Sequence, residues 1–96
     1  MKRALFILLV TLVACTPRLP PHATSADAER ANVALTELQT GRTMLIKKCG
    51  GCHRPPKPVE HTAAEWPRSL DEMSTRSNLD GEQRRLIQLY LVSLSR

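Results

Sequence analysis

The part of this chain that can form a folded domain has few large side chains with which to build a core. The 96 residues include one Trp, one Tyr and one Phe, and Phe6 belongs to an apolar amino-terminal stretch. Without that stretch, the core must be formed within roughly 70 to 80 residues, a length at which an unaided domain is only marginally stable. We therefore expect a covalently attached group to supply apolar surface and to tie down the chain.

The amino terminus has the pattern of a bacterial export signal. Lys2 and Arg3 precede about ten apolar residues, which are too few for a membrane-spanning helix but typical of a signal peptide. The Leu-Val-Ala-Cys sequence that ends at Cys15 resembles the lipobox of bacterial lipoproteins. The resemblance implies that residues 1–14 are removed and that lipidated Cys15 anchors the protein to a bacterial membrane on the periplasmic, extracytoplasmic side. An ordinary signal peptide with an incidental cysteine is the alternative.

The residue that follows the cysteine bears on the choice of membrane. By the lipoprotein resemblance, Thr16 in place of an aspartate implies the outer membrane in a Gram-negative cell. Loss of Lys2 and Arg3 with the signal leaves twelve basic against nine acidic residues. This small excess is typical of a solvated surface, and the chain has no Lys/Arg block with interleaved aromatic residues, so we expect no nucleic-acid partner.

Proline marks the segment after the lipobox as extended. Pro17, Pro20 and Pro21 stand among small and polar residues, and proline disfavours a helix. We therefore expect residues 15–26 to form a flexible, solvated tether. Residues 27–96 are then expected to form the folded domain.

The rest of the chain has helical rather than strand patterns. Apolar residues recur at helical spacing over residues 27–48, which predicts one helix or two short ones, with Gly41 as the weak point. A proline-rich loop is expected from Cys49 to Val59, and a later segment ends with a broad apolar set between Leu86 and Leu94. No segment alternates as a strand does, so the predicted fold class is all-α.

Two later helices are predicted to begin at capping boxes. In the first, Thr62 stands three residues before Glu65, and in the second Asp80 stands three residues before Gln83. In such a box the first side chain accepts a backbone hydrogen bond, and the side chain three residues later returns one.

The residues that carry the chemistry are Cys49-Gly50-Gly51-Cys52-His53. This is the attachment pattern of c-type haem, in which both thiols add to the haem vinyl groups and the adjacent histidine binds the iron. Two intervening residues match the separation of the vinyl groups. We therefore expect one covalent haem c on Cys49 and Cys52, with His53 as the proximal axial ligand.

Three other uses of two closely spaced cysteines fit this sequence less well. A zinc site needs four ligands, and the chain has no second paired motif. A redox-active disulfide is typically preceded by a strand and followed by a helix, whereas here a helical pattern precedes Cys49 and prolines follow Cys52. A structural disulfide would leave His53 without a role, and c-type haem is attached outside the bacterial cytoplasm, where the export signal would bring the chain.

Over roughly residues 38 to 95 the chain resembles class I cytochromes c. Gly41 and Cys49 match the first helix of that family, and the segment around Tyr90 matches its last helix, whose aromatic ring packs over the glycine. Ile87 is expected to cover the remaining gap between the two helices. The family's distal ligand is a methionine ahead of the last helix, and Met73 stands seventeen residues before Tyr90.

The resemblance therefore implies that Met73 is the distal iron ligand. His61 is the runner-up, while Met44 lies in the helix that leads into the motif and is poorly placed. Trp66 is expected either to contact the haem or to be an ordinary core ring. The chain departs from longer family members in placing Met73 only twenty positions after His53, which implies an unusually exposed haem edge.

The fold implied is a small cytochrome c-like helical domain wrapped around one covalent haem. The function implied is one-electron transfer between redox proteins, which act as donor and acceptor, with no catalytic residues of its own. Two alternatives stay open: a haem subunit of a larger dehydrogenase or oxidase complex, and a five-coordinate sensor of carbon monoxide or nitric oxide if Met73 does not bind the iron.

Overall fold

A computed structural model describes residues 19–50 and 54–95 of the chain. These residues form four α-helices and one short 3-10 helix, and no strand occurs among them. The predicted all-α class is therefore confirmed for this part of the chain. The elements are α1 (Ser25–Ala31), α2 (Leu35–Cys49), the 3-10 helix (Pro58–Glu60), α3 (Trp66–Ser77) and α4 (Gly81–Leu94).

The capping box predicted at the start of α4 is present. The carboxylate of Asp80 accepts a hydrogen bond from the Gln83 N–H at 2.7 Å, and the Gln83 side chain accepts one from the Asp80 N–H at 3.1 Å. A second complete box, formed by Thr24 and Asp27, begins α1. Both boxes satisfy amide groups that have no partner within the helix.

The box predicted at Thr62 forms only in part. Glu65 accepts hydrogen bonds from the Thr62 N–H and hydroxyl at 3.2 and 2.8 Å. The N–H groups of Glu65 and Trp66, however, donate to the Thr62 carbonyl rather than to its side chain. Residues 62–65 therefore form a turn, and α3 begins only at Trp66.

The helical segment before the cysteine motif is interrupted at Asn32 rather than at Gly41. Asn32 has a φ of 55°, and its N–H donates to the carbonyls of Ala28 and Glu29, which ends α1. Asparagine tolerates this left-handed conformation better than most residues. The expectation that Gly41 is the weak point is wrong, because Gly41 lies inside the continuous helix α2.

The reason for a glycine at position 41 is the close crossing of α2 and α4. A Cβ atom on Gly41 would lie 2.1 Å from the carbonyl oxygen of Leu86 and 3.0 Å from the Cβ of Tyr90. The expected contact between Gly41 and the helix that carries Tyr90 is confirmed. The helix backbones approach more closely than any other side chain would permit.

The core lies where α4 packs against the other three α-helices and the 3-10 helix. Its largest members come from α2, α3 and α4, and each is less than 2% exposed. They are Leu38, Leu45, Trp66, Leu70, Ile87, Tyr90 and Leu91. The helix α4 is therefore the central element, which agrees with the broad apolar set that the sequence places on it.

The segment before α1 is not solvated throughout, as a flexible tether would be. Pro20 is buried, and its carbonyl accepts a hydrogen bond from Nε of Arg42 at 2.9 Å. The carbonyl of Pro21 accepts a hydrogen bond from the Tyr90 hydroxyl. Within the expected tether, Pro20 and Pro21 are therefore held against the helices, because α2 and α4 supply donors for their carbonyls.

Candidate cofactor site

A cavity of about 690 Å³ lies between the carboxyl-terminal ends of α2 and α3. Its volume is within the range of about 300 to 1,000 Å³ typical of small-molecule and cofactor sites. Its walls combine apolar, sulfur-containing and cationic side chains. They are formed by Lys48, Cys49, Arg54, Pro55, Pro56, Lys57, Glu60, Met73, Arg76 and Ser77.

The first cysteine of the motif lies on this cavity. Cys49 is the last residue of α2 and is partly buried. Cys52 and His53 lie outside the described residues, as does Cys15. Arg54, the residue after His53, also lines the cavity. Residues just before and just after positions 51–53 therefore border the same cavity.

Met73 lines the same cavity. It belongs to the second half of α3, is partly buried and packs against the core. The structure therefore brings Cys49 and Met73 to one site, although they are twenty-four positions apart in the sequence. A thioether is a soft, weak ligand that suits haem iron.

His61 does not line this cavity. Its ring packs edge-on against Trp66 with 4.8 Å between ring centroids, and its Nδ1 lies 3.8 Å from a carboxylate oxygen of Glu65. It borders a separate, shallow pocket with residues of α3. Hydrogen bonds from Thr62 lower the pKa of Glu65, which keeps an anion beside the imidazole.

The side chain of Trp66 belongs to the hydrophobic core. It is fully buried, and its indole N–H donates to the carbonyl of Pro58 at 3.0 Å. Neither Trp66 nor Met44 is among the residues that line the cavity. Of the two roles expected for Trp66, its burial and its hydrogen bond favour the structural one.

Four cationic side chains line the cavity, against one carboxylate. They are Lys48, Arg54, Lys57 and Arg76, and the carboxylate is that of Glu60, which accepts a hydrogen bond from the Lys57 N–H at 2.6 Å. In the described part of the chain, none of these four cations has a carboxylate within 4.0 Å. The site therefore has an excess of positive charge.

Two arginines of α4 are paired with carboxylates. Arg84 lies 2.6 Å from Asp71, and Arg85 lies 2.8 and 3.2 Å from Glu82 and Glu37. The sequence predicts a solvated basic surface that includes Lys48, Arg84 and Arg85, and it does not predict the group of cations at the cavity. One signal was present, because Arg76 follows Met73 by three residues and so lies on the same helical face.

Among residues 19–50 and 54–95, no three His, Cys, Asp or Glu side chains lie close enough to hold a metal ion. No helix of that same part of the chain is sufficiently long and apolar to cross a membrane. No protein-family model, curated protein or solved structure matches this chain. Its function must therefore be argued from the motif and from the geometry of the cavity.

Proposed function

We propose that this protein is a membrane-anchored, mono-haem c-type cytochrome that carries single electrons between redox proteins outside the cytoplasm. The observation that carries the proposal is that Cys49 and Met73 lie on the walls of one cavity. The first is the start of a haem-attachment motif, and the second is the expected distal ligand. His61, the other candidate ligand, lies on a different pocket.

The residues of the cavity fit a haem group. The volume is that of a cofactor site, Pro55 and Pro56 provide an apolar wall, and Met73 offers a soft sulfur donor. The cations Lys57 and Arg76 suit the carboxylates of the group, since a charge-assisted hydrogen bond is roughly twice as strong as a neutral one. Iron held in this way supplies one-electron chemistry by alternating between the ferric and ferrous states.

The hydrogen bonds of the proline-rich loop bear on which carbonyl would orient the proximal histidine. A histidine ligand usually donates from its second ring nitrogen to a carbonyl or carboxylate, which fixes the ring's orientation. The carbonyls of Lys57 and Pro58 already accept hydrogen bonds from the Glu60 N–H and the Trp66 indole. We therefore propose a carbonyl of Pro55 or Pro56 as the acceptor for His53.

Two protein ligands would leave the iron without an open position, which favours outer-sphere electron transfer over binding of a gas. The group of cations around the cavity favours association with a partner through an anionic surface by raising the rate of encounter. We therefore propose an electron carrier rather than an enzyme.

The first test is whether the exported protein carries one covalent haem. The full chain is produced in a bacterial host that attaches c-type haem, and its intact mass and pyridine haemochrome spectrum are measured. We expect one haem and a lipidated amino terminus. A Cys49→Ser variant should lose one of the two thioether bonds, whereas a wild-type protein without haem would refute the proposal.

The second test concerns the distal ligand. In a Met73→Leu variant, we expect the reduced haem to bind carbon monoxide promptly, and a Met73→His variant should have a lower reduction potential because imidazole favours ferric iron more than a thioether does. Met44→Leu is the matched control, because it removes a thioether of the same kind from outside the cavity. If the wild type binds carbon monoxide as fast as Met73→Leu does, Met73 is not a ligand.

A further inference from the structure

We propose that residues 19–24, here called the strap, hold the helical domain against a phospholipid surface. The proposal rests on the proposed function in taking Cys15 as the lipidated residue, and its consequence for a redox partner rests on the proposed haem. It departs from the picture of a carrier on a long flexible tether, because the strap is fixed to the helices. The partner of this face is therefore the membrane itself.

The strap is fixed by two consecutive carbonyl groups. Nε of Arg42, on α2, donates to the Pro20 carbonyl at 2.9 Å, and the hydroxyl of Tyr90, on α4, donates to the Pro21 carbonyl. Pro20 is less than 2% exposed. Two different helices therefore hold adjacent residues of the strap, which restricts both its position and its direction.

The chain that follows the strap is fixed as well. Thr24 begins α1 through a complete capping box with Asp27, and Ala28 of α1 is 7% exposed and belongs to the core. Burial raises the pKa of Tyr90 to about 12, so its hydroxyl keeps the proton that it donates to the strap at neutral pH.

The strap shortens the free chain between lipid and domain. An extended chain spans at most about 3.3 to 3.6 Å per residue, so the five steps from Cys15 to Pro20 reach about 17 Å. If the chain were free as far as Ala26, the same arithmetic would give about 38 Å. For comparison, the 15 residues of α2 span about 22 Å. The free segment that joins the domain to the lipid is therefore shorter than the helix α2.

One side chain at this edge has the character of a membrane contact. Leu19 is 48% exposed. The one other exposed large hydrophobic residue in the described part of the chain is Val59, at 66%. Leu19 stands four residues after Cys15, so a lipid on that cysteine brings it to the bilayer interface. There its apolar surface leaves water, which is favourable.

The consequence concerns the partner's location. A domain held this close to the bilayer exchanges electrons with a redox protein whose exposed centre lies near the same membrane surface. A partner that remains far from the membrane would require the long tether that the strap removes.

The test uses the lipidated, haem-loaded full chain on a supported bilayer of phosphatidylethanolamine and phosphatidylglycerol. Neutron reflectometry measures the separation between the lipid headgroups and the protein layer. We expect no solvent gap for the wild type. Ten Gly/Ser residues inserted between Arg18 and Leu19 should open a gap of up to about 15 to 20 Å, as expected for a flexible linker of this length.

The strap itself is tested by hydrogen exchange in Tyr90→Phe and Arg42→Gln variants. Each loses one donor to the strap, and we expect the amides of α1 to exchange about five- to tenfold faster, the effect of one lost hydrogen bond. Arg85→Gln is the control, because Arg85 pairs with carboxylates and not with the strap. Amides of α4 report global unfolding and should stay slow in all three variants.

Two results would overturn the proposal. One is α1 exchange that is equally fast in the wild type and both strap variants. The other is a wild-type protein layer as far from the headgroups as that of the insertion variant. The haem absorbance of the same samples reports separately on the proposed function, so loss of haem and loss of the strap are distinguished.

Discussion

The substitution Gly41→Ala tests the closest contact in the fold. The new methyl group would lie 2.1 Å from the Leu86 carbonyl oxygen and 2.9 Å from its carbon. An ordinary contact is more than 1 Å longer, so α2 and α4 must separate by about 1 Å. Backbone atoms of a packed helix cannot rotate away as a flexible side chain would.

The expected loss of stability follows from two opposing terms. Overpacking costs about 1 to 3 kcal/mol, and the backbone obstruction places Gly41→Ala at the upper end of that range. Alanine recovers about 1 kcal/mol through its higher helix propensity. The net expectation is a loss of about 2 kcal/mol, which lowers the Tm of a domain of this size by roughly 8 to 16 °C.

Thermal and urea unfolding of the haem-loaded protein, followed by circular dichroism, measure this change. Gly81→Ala is the matched control, because a Cβ at Gly81 meets no atom within 4 Å and its φ is not positive. It should be neutral or stabilising by up to about 1 kcal/mol. If Gly41→Ala is as stable as Gly81→Ala, the argument for a close helix crossing is refuted.

Three further changes have defined outcomes. Because the pKa of Tyr90 is raised to about 12, its stabilising contribution should be complete below about pH 10. As the pH rises through about 12, the free energy of unfolding should fall by up to about 2 to 3 kcal/mol. Urea unfolding at several pH values measures this fall, which should be smaller in Tyr90→Phe. Trp66→Phe removes the donor to the buried Pro58 carbonyl and should cost about 1 to 3 kcal/mol in urea unfolding; no change would mean that this carbonyl finds another donor. Asp80→Ala removes the cap of α4 and should lower the stability measured by thermal unfolding by about 1 kcal/mol. Asp80→Asn should keep most of the cap's stabilisation, and equal losses in both variants would contradict a capping role.

The features predicted correctly from the sequence are those with local causes. The capping box of Asp80 and Gln83 involves residues three apart, so its pattern can be read directly from the sequence. The position of Gly41 against α4 was predicted from the family resemblance and depends on only one small residue. The interruption at Asn32 was missed, because glycine is the more familiar helix breaker and a left-handed asparagine gives a weaker signal.

The features that the sequence did not predict depend on distant contacts. The strap is held by donors that lie 22 and 69 positions away from the carbonyls they bind. The cations of the cavity come from both α2 and α3 and from the loop between them, and only the folded chain brings them together. The assignment of haem to Cys49, Cys52 and His53, and of Met73 to its iron, stays a prediction for the experiments above.

The strap also determines how a mechanical pull on the lipid anchor would enter the domain. Tension would be divided between Arg42 and Tyr90, and hence between α2 and α4, the two helices joined most closely at Gly41. Cys49 lies seven residues beyond Arg42, roughly 10 Å further along α2. Force from a moving or curving membrane would thus enter α2 near its middle, about two helical turns before the residue that lines the cavity.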